Sequence, residues 1–133
     1  MRAVVVLPLV PVTAAIGMRA GMGYRACDVG AVLNVAEDHL GLKGIDTLEQ
    51  LAEIKRIVVE VARGTAVLNA DDVLCLKMAD HTKAARIAYV TMNPRHELVR
   101  QHISAGGLAA VLEDQIRGQM ITLYDHGAHL PLI

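Results

Sequence analysis

A chain of 133 residues with 53% hydrophobic content is long and apolar enough for one domain with a buried core. Thirteen Lys and Arg against fourteen Asp and Glu leave a net charge of −1, and the chain has three Tyr with no Phe or Trp. It therefore offers neither the basic surface nor the aromatic platforms that nucleic-acid binders use, and no nucleic-acid partner is expected.

The opening run, MRAVVVLPLVPVTAAIGM, is apolar enough that a leader peptide has to be considered. Pro8 and Pro11 interrupt it, and it falls short of the roughly 20 residues a bilayer-spanning helix needs, so no membrane partner is expected and a cytoplasmic location is the reading adopted. Residues 3–10 are a candidate buried strand closed by proline. Gly17, Gly21 and Gly23 follow in GMRAGMG, which spells neither GxxxxGK[ST] nor GxGxxG, and these glycines read as turn chemistry. Cys27 and Cys75 have no CxxC partner and no His at zinc spacing, so both read as reduced core residues.

Residues 29–35 form the second predicted strand, which empties through Asn34 into Glu37, Asp38 and His39. Open α/β sheets bind ligands at the carboxyl ends of their strands, which makes this cluster a candidate metal or phosphate site; a solvated loop is the plainer alternative. A helix over about 47–62 comes next, with capping-box spellings at Asp46/Glu49 and at Thr47/Gln50. At 100° per residue Leu48, Leu51, Ala52, Val58, Val59 and Ala62 share one line, and Lys55 sits at its centre. A lysine there either snorkels to the edge of the sheet or serves a site.

Arg63 and Gly64 are predicted to end that helix before a short strand at 65–68, which again empties into Asn69, Asp71 and Asp72. Either aspartate can cap the helix beginning near Val73, whereas Asn69 has no such structural role to explain it. A strand over 87–92, a helix over 96–104 and then apolar runs at 108–112, 120–124 and 128–133 complete the chain, the last three reading as an antiparallel hairpin or meander. His96 and His102 are six residues apart and do not share a helical face, so they make no metal pair. No repeat or linker appears, and the whole chain, 1–133, is taken as one domain.

From Tyr24 to about Leu132 the strings YRACDVGAVLNVAEDHLG, IDTLEQLAEIKRIVVE, AVLNADD, YVTMNP and GGLAAVLE resemble, in family order, the central Mur-ligase-like domain of cyanophycin synthetases and, more distantly, the ATP-dependent Mur ligases. The resemblance implies an α/β domain with a mostly parallel, helix-flanked sheet and a C-terminal antiparallel meander. It implies ATP and magnesium as cofactors and a peptide-like carboxylate as substrate, activated as an acyl phosphate before an amine forms the amide bond. Carried over by position, His39 matches a magnesium-binding histidine. Lys55 resembles a helix lysine that supports the metal, in many Mur ligases as a carbamate, and is the candidate catalytic residue. Asn69 matches an adenine contact, with Asp72 a second candidate for that pocket.

The departures are equally specific. No phosphate-binding loop is spelled in these 133 residues, and where the family has ETARGG this chain has VTAAIG, with Val12 in the place of a metal-binding glutamate. Residues 1–23 thus read as a divergent segment ahead of a family-like region at 24–133, and the expected function is a truncated or degenerate ligase domain that does not turn over ATP alone. Two alternatives stay open: a ligase part completed by a partner chain that carries the phosphate loop, and a non-catalytic binding or oligomerisation module. An apolar edge exposed in a shortened domain makes a homo-oligomer plausible.

Overall fold

The computed structural model describes residues 25–36 and 45–132; the strand expected at 3–10 lies outside them. Six strands form one sheet in sequence order: β1 (Cys27–Val32), β2 (Ala62–Asn69), β3 (Arg86–Thr91), β4 (Leu108–Gln115), β5 (Gly118–Asp125) and β6 (Ala128–Leu132). β1 to β4 run parallel, and β4, β5 and β6 are antiparallel neighbours. The parallel strands are linked by α1 (Leu48–Glu60), by α2 (Val73–Lys77) continued as a 3₁₀ turn (Met78–Asp80), and by α3 (Glu97–Ser104). The mostly parallel sheet with a tail meander is as expected from the sequence.

Strands laid down in sequence order by right-handed crossovers place every connecting helix on the same face of the sheet. The core follows that geometry. Val32, Leu68, Tyr89 and Ala109 are paired across β1 to β4 in one row and pack against Leu51, Val58, Val59, Cys75, Met78 and Val99 from the helices. The neighbouring row, Ala31, Val67, Ala88 and Leu108, points to the opposite face by the alternation of strand side chains. None of that second row belongs to the main core cluster.

α1 begins at Thr47, whose hydroxyl accepts from Gln50 N while the Gln50 side chain accepts from Thr47 N, so the second of the two capping-box spellings is the one used. It ends at Glu60 with Val61 as its C-cap, and Ala62, expected as the last apolar position of the helix, instead opens β2. Arg63 and Gly64 are strand residues and do not stop the helix. The glycine serves inter-strand contact here: a Cβ at position 64 would lie 2.6 Å from the Asp28 carbonyl oxygen, beside the pairing irregularity between Cys27 and Val29. Gly30 has the same function against α1, since a Cβ there would collide with the Val58 carbonyl.

His102 is a structural histidine. Its Nε2 lies 3.0 Å from the Ile87 carbonyl and 3.2 Å from that of Leu108, and its ring meets Tyr89 edge-on at 4.8 Å. Both cysteines are free and buried. Burial, and then the neighbouring Asp72 carboxylate, push the Cys75 thiol up to about 12, which leaves it an unreactive core group as the sequence suggested.

The meander is tied to α3 through Glu113, which accepts hydrogen bonds from Arg100 Nη2 at 2.8 Å, Tyr124 Oη at 2.7 Å and Thr122 Oγ1 at 2.9 Å. Arg100 also donates to the Pro94 carbonyl and lies over the Tyr124 ring. Burial alone would raise the Glu113 carboxyl, but these donors outweigh it and hold the group below its ordinary value of 4.5. A carboxyl whose folded pKa lies below its unfolded one adds stability above the unfolded value and loses it as pH falls through the folded value. Urea unfolding of the native chain should therefore weaken below about pH 4.5. Glu113→Gln should flatten that acid slope and cost about 1–2 kcal/mol at pH 7; equal slopes in the two proteins would remove Glu113 as its source.

Candidate functional site

The carboxyl ends of β1, β2 and β3 gather the polar residues that follow each strand, and side chains lace the three exits together. Asn34 leaves β1, and the Lys55 ammonium on α1 donates to its main-chain carbonyl at 2.9 Å and to its side-chain oxygen at 3.4 Å. The lysine in the middle of the apolar stripe thus resolves as a half-buried stem whose charged end reaches the rim of the sheet, where strand ends present their carbonyls.

Asn69 closes β2. Its Nδ2 donates to the Leu33 carbonyl at 2.9 Å, and its Oδ1 accepts from Asp71 N, also at 2.9 Å. The residue with no evident structural role in the sequence is therefore a bridge between the exits of β1 and β2. Asp72 works beside it: Oδ1 caps α2 by accepting from Leu74 N and Cys75 N, and Oδ2 accepts from Val35 N at 2.8 Å on the β1 exit. Asp71 turns the other way, toward β3, accepting from Thr91 Oγ1 at 2.5 Å and from Met92 N at 2.7 Å. His96 at the head of α3 closes the row, its Nε2 lying 3.0 Å from the Ala70 carbonyl.

Lys55, Asn69 and Asp72 are thus brought to one rim, within one network around residues 33–35. His39, with Glu37 and Asp38, lies outside the described residues. Asn34 was visible in the sequence only as the start of an acidic motif; its position as the direct partner of Lys55 comes from the crossover that lays α1 along β1.

A family model, the Mur ligase middle domain, matches residues 15–126. The chain belongs to the Mur ligase family.

It is 53% identical over 98 residues to the cyanophycin synthetase of Synechocystis sp., covering 72% of this chain and 11% of that protein. Against the cyanophycin synthetase of Trichormus variabilis it is 48% identical over 121 residues, covering 86% of this chain and 13% of that protein. A solved UDP-N-acetylmuramoyl-L-alanyl-D-glutamate–2,6-diaminopimelate ligase shares the fold, with a TM-score of 0.54 at 20% identity over 90% of this chain and 24% of that one. The chain therefore spans about an eighth of the length of these synthetases.

A nucleotide and magnesium are the groups a Mur ligase domain implies, and the rim fits them unequally. Magnesium prefers carboxylate and water oxygens, yet both oxygens of Asp71 and of Asp72 already accept hydrogen bonds from the protein. Among the described residues no group of three His, Cys, Asp or Glu could hold a metal. The described carboxylates of the rim are thus engaged in joining the strand exits. Amide and apolar groups are better represented there: Leu33 just past β1, Val73 at the start of α2 and Met92 just past β3 are exposed, Met92 at 74%. Sequence reading missed these, because it placed Leu33 and Met92 inside strands and Val73 at the head of a helix, where an apolar residue reads as core. An open groove between α1 and α2, walled by Glu49, Glu53, Arg56, Lys77 and His81, lies apart from the Asn34–Asn69 network. No helix among the described residues is long and apolar enough to cross a membrane.

Proposed function

We propose that this chain carries the base side of the ATP site of an amide-bond-forming ligase of the cyanophycin synthetase kind, and that the 133-residue chain by itself does not turn ATP over. In such a ligase ATP and magnesium activate a carboxylate as an acyl phosphate, which an amine then attacks. The observation that carries the reading is the rim itself, where Asn69 is locked between the exits of β1 and β2 and exposed apolar residues lie at the adjoining exits. A planar amide on a rigid frame with Leu33, Val73 and Met92 beside it suits a flat heterocycle with polar edges.

The phosphate side is where the sequence departs from the family. This sequence has no GxxxxGK[ST], it has Val12 in the family's glutamate position, and its described carboxylates on the rim are engaged in holding backbone N–H groups. Phosphoryl transfer rests on charge neutralisation and positioning, and Lys55 is the cation that the described residues bring to the Asn34–Asn69 network. Its ammonium, held by Asn34, marks the side of the rim where phosphates would enter.

Calorimetry and phosphate release test this together. Adenosine and Mg-ATP are expected to bind with similar affinity, at a Kd of about 1 mM or weaker, which corresponds to roughly −4 kcal/mol. Phosphate release should equal the buffer blank. Amide shifts on titration should concentrate at residues 33–35, 69–73 and 92. Micromolar affinity that depends on magnesium would overturn the reading, and turnover restored by a second chain bearing a phosphate loop would favour the completed-ligase alternative.

A further inference from the structure

The β3 exit is braced from the meander as well as from β2. We propose that Arg100 is a positioning residue for the base side of the ATP site, a role that rests on the base-site reading above: anchored on Glu113 and Tyr124, it holds the segment that carries Met92 in place at the rim.

The strand register puts these parts level with one another. Thr91, the last residue of β3, pairs with Val111, so Glu113 stands further along β4, beside the segment that follows β3. Ala109 and Val111 belong to the core under the helices, and alternation puts Glu113 on that same face. Tyr124 and Thr122 pair with Ala109 and Val111, which brings their hydroxyls alongside, and both donate to the Glu113 carboxylate. The carboxylate is thereby fixed to two strands of the meander.

Arg100 joins that anchor to the exit. It occupies the fourth position of α3, near the end where the helix dipole disfavours a cation, and its side chain reaches back to Pro94, before the helix begins. Nε donates to the Pro94 carbonyl at 2.6 Å, Nη2 to Glu113 at 2.8 Å and Nη1 to the Tyr124 hydroxyl at 3.4 Å. From the opposite side Asp71 accepts from Met92 N and Thr91 Oγ1. Asn93, between the two holds, is itself pinned, its N–H donating to Thr91 Oγ1 and its carbonyl accepting from His96 N. A planar guanidinium serves separate acceptors in fixed directions, which a single ammonium cannot do. Arg100→Lys can therefore keep the ion pair with Glu113 while losing the tie to Pro94, and it separates positioning from charge pairing.

AMP titrated into the full chain and followed by amide shifts, with hydrogen exchange on the free protein, reads the result. In Arg100→Lys the AMP dissociation constant should rise about fivefold. Exchange should quicken at Asn93 and His96, and the acid slope of urea unfolding that reports Glu113 should persist. Arg56→Lys, whose partner Glu60 lies on α1, should match wild type. Circular dichroism verifies the fold; should Arg100→Lys unfold, Tyr124→Phe carries the test, since it removes the hydroxyl that Arg100 and Glu113 share and should weaken AMP about twofold. Unchanged AMP affinity and unchanged exchange overturn the proposal and leave the base site standing, and equal weakening in Arg56→Lys overturns it as well. Wild type with no AMP shifts at residues 33–35, 69–73 and 92 brings down the base-site reading and this role with it, so wild type alone tells the two failures apart.

Discussion

Gly30→Ala is expected to lower the stability of the domain by about 3 kcal/mol, at the upper end of what overpacking a core contact costs. The new methyl would enter the Val58 main-chain carbonyl, which belongs to α1 and cannot turn aside without moving the helix. Moving α1 would disturb Val58 and Val59, both buried against the sheet, and would shift Lys55 away from Asn34. Thermal unfolding should fall by roughly 10 °C for a domain of this size. Gly127→Ala is the informative comparison. Position 127 has φ +81 and open space around it, so its cost is backbone strain alone, about 1 kcal/mol. Equal losses in the two variants would mean that Gly30 is conserving backbone freedom and that the close approach of α1 does not matter.

Asp72→Ala should cost nearly as much, about 3 kcal/mol, by a different route. One carboxylate there satisfies three backbone N–H groups, those of Leu74 and Cys75 in the cap and that of Val35 on the β1 exit. Losing a helix N-cap costs about 1 kcal/mol, and leaving a further part-buried donor unpaired costs about 1–3 kcal/mol more. Asp72→Asn separates the two contributions, since an amide has one oxygen and can serve either the cap or Val35. It should therefore fall between wild type and alanine in chemical denaturation. Hydrogen exchange should show early opening of Val35 in both variants. A Val35 amide as protected in Asp72→Ala as in wild type would show that the link across the strand exits contributes nothing.

These two residues also show what kind of information the sequence holds. A cap at Asp71 or Asp72 was legible, because capping is local and the spelling Asp-Asp-Val-Leu before a helix announces it, and the structure uses Asp72. Its second bond, to Val35 thirty-seven positions earlier, depends on β1 and β2 being neighbours. Asn69 shows the same limit more sharply: its bridge to Leu33 cannot be seen from the residues around it, so the sequence offered no structural role for it. Lys55 could be recognised as anomalous from helical periodicity, but which way its ammonium travels is decided by the strand it lies along.

By itself the sequence determined the order and kind of the elements after β1, a capping box at Asp46 or Thr47, the tail meander and the family resemblance, since each rests on periodicity, local hydrogen bonding or an ordered set of short strings. It misjudged the junction at residues 61–64, where a helix exit and a strand entry carry the same small and apolar residues and only the passage of Asp28 beside Gly64 distinguishes them. Only the tertiary structure decided that the rim aspartates hold together the strand exits, that Asn34 is a partner of Lys55, and that the connecting helices among the described residues share one face of the sheet. Each of those facts depends on contacts between strand exits far apart in sequence or on the common hand of successive crossovers, and neither has a local signal.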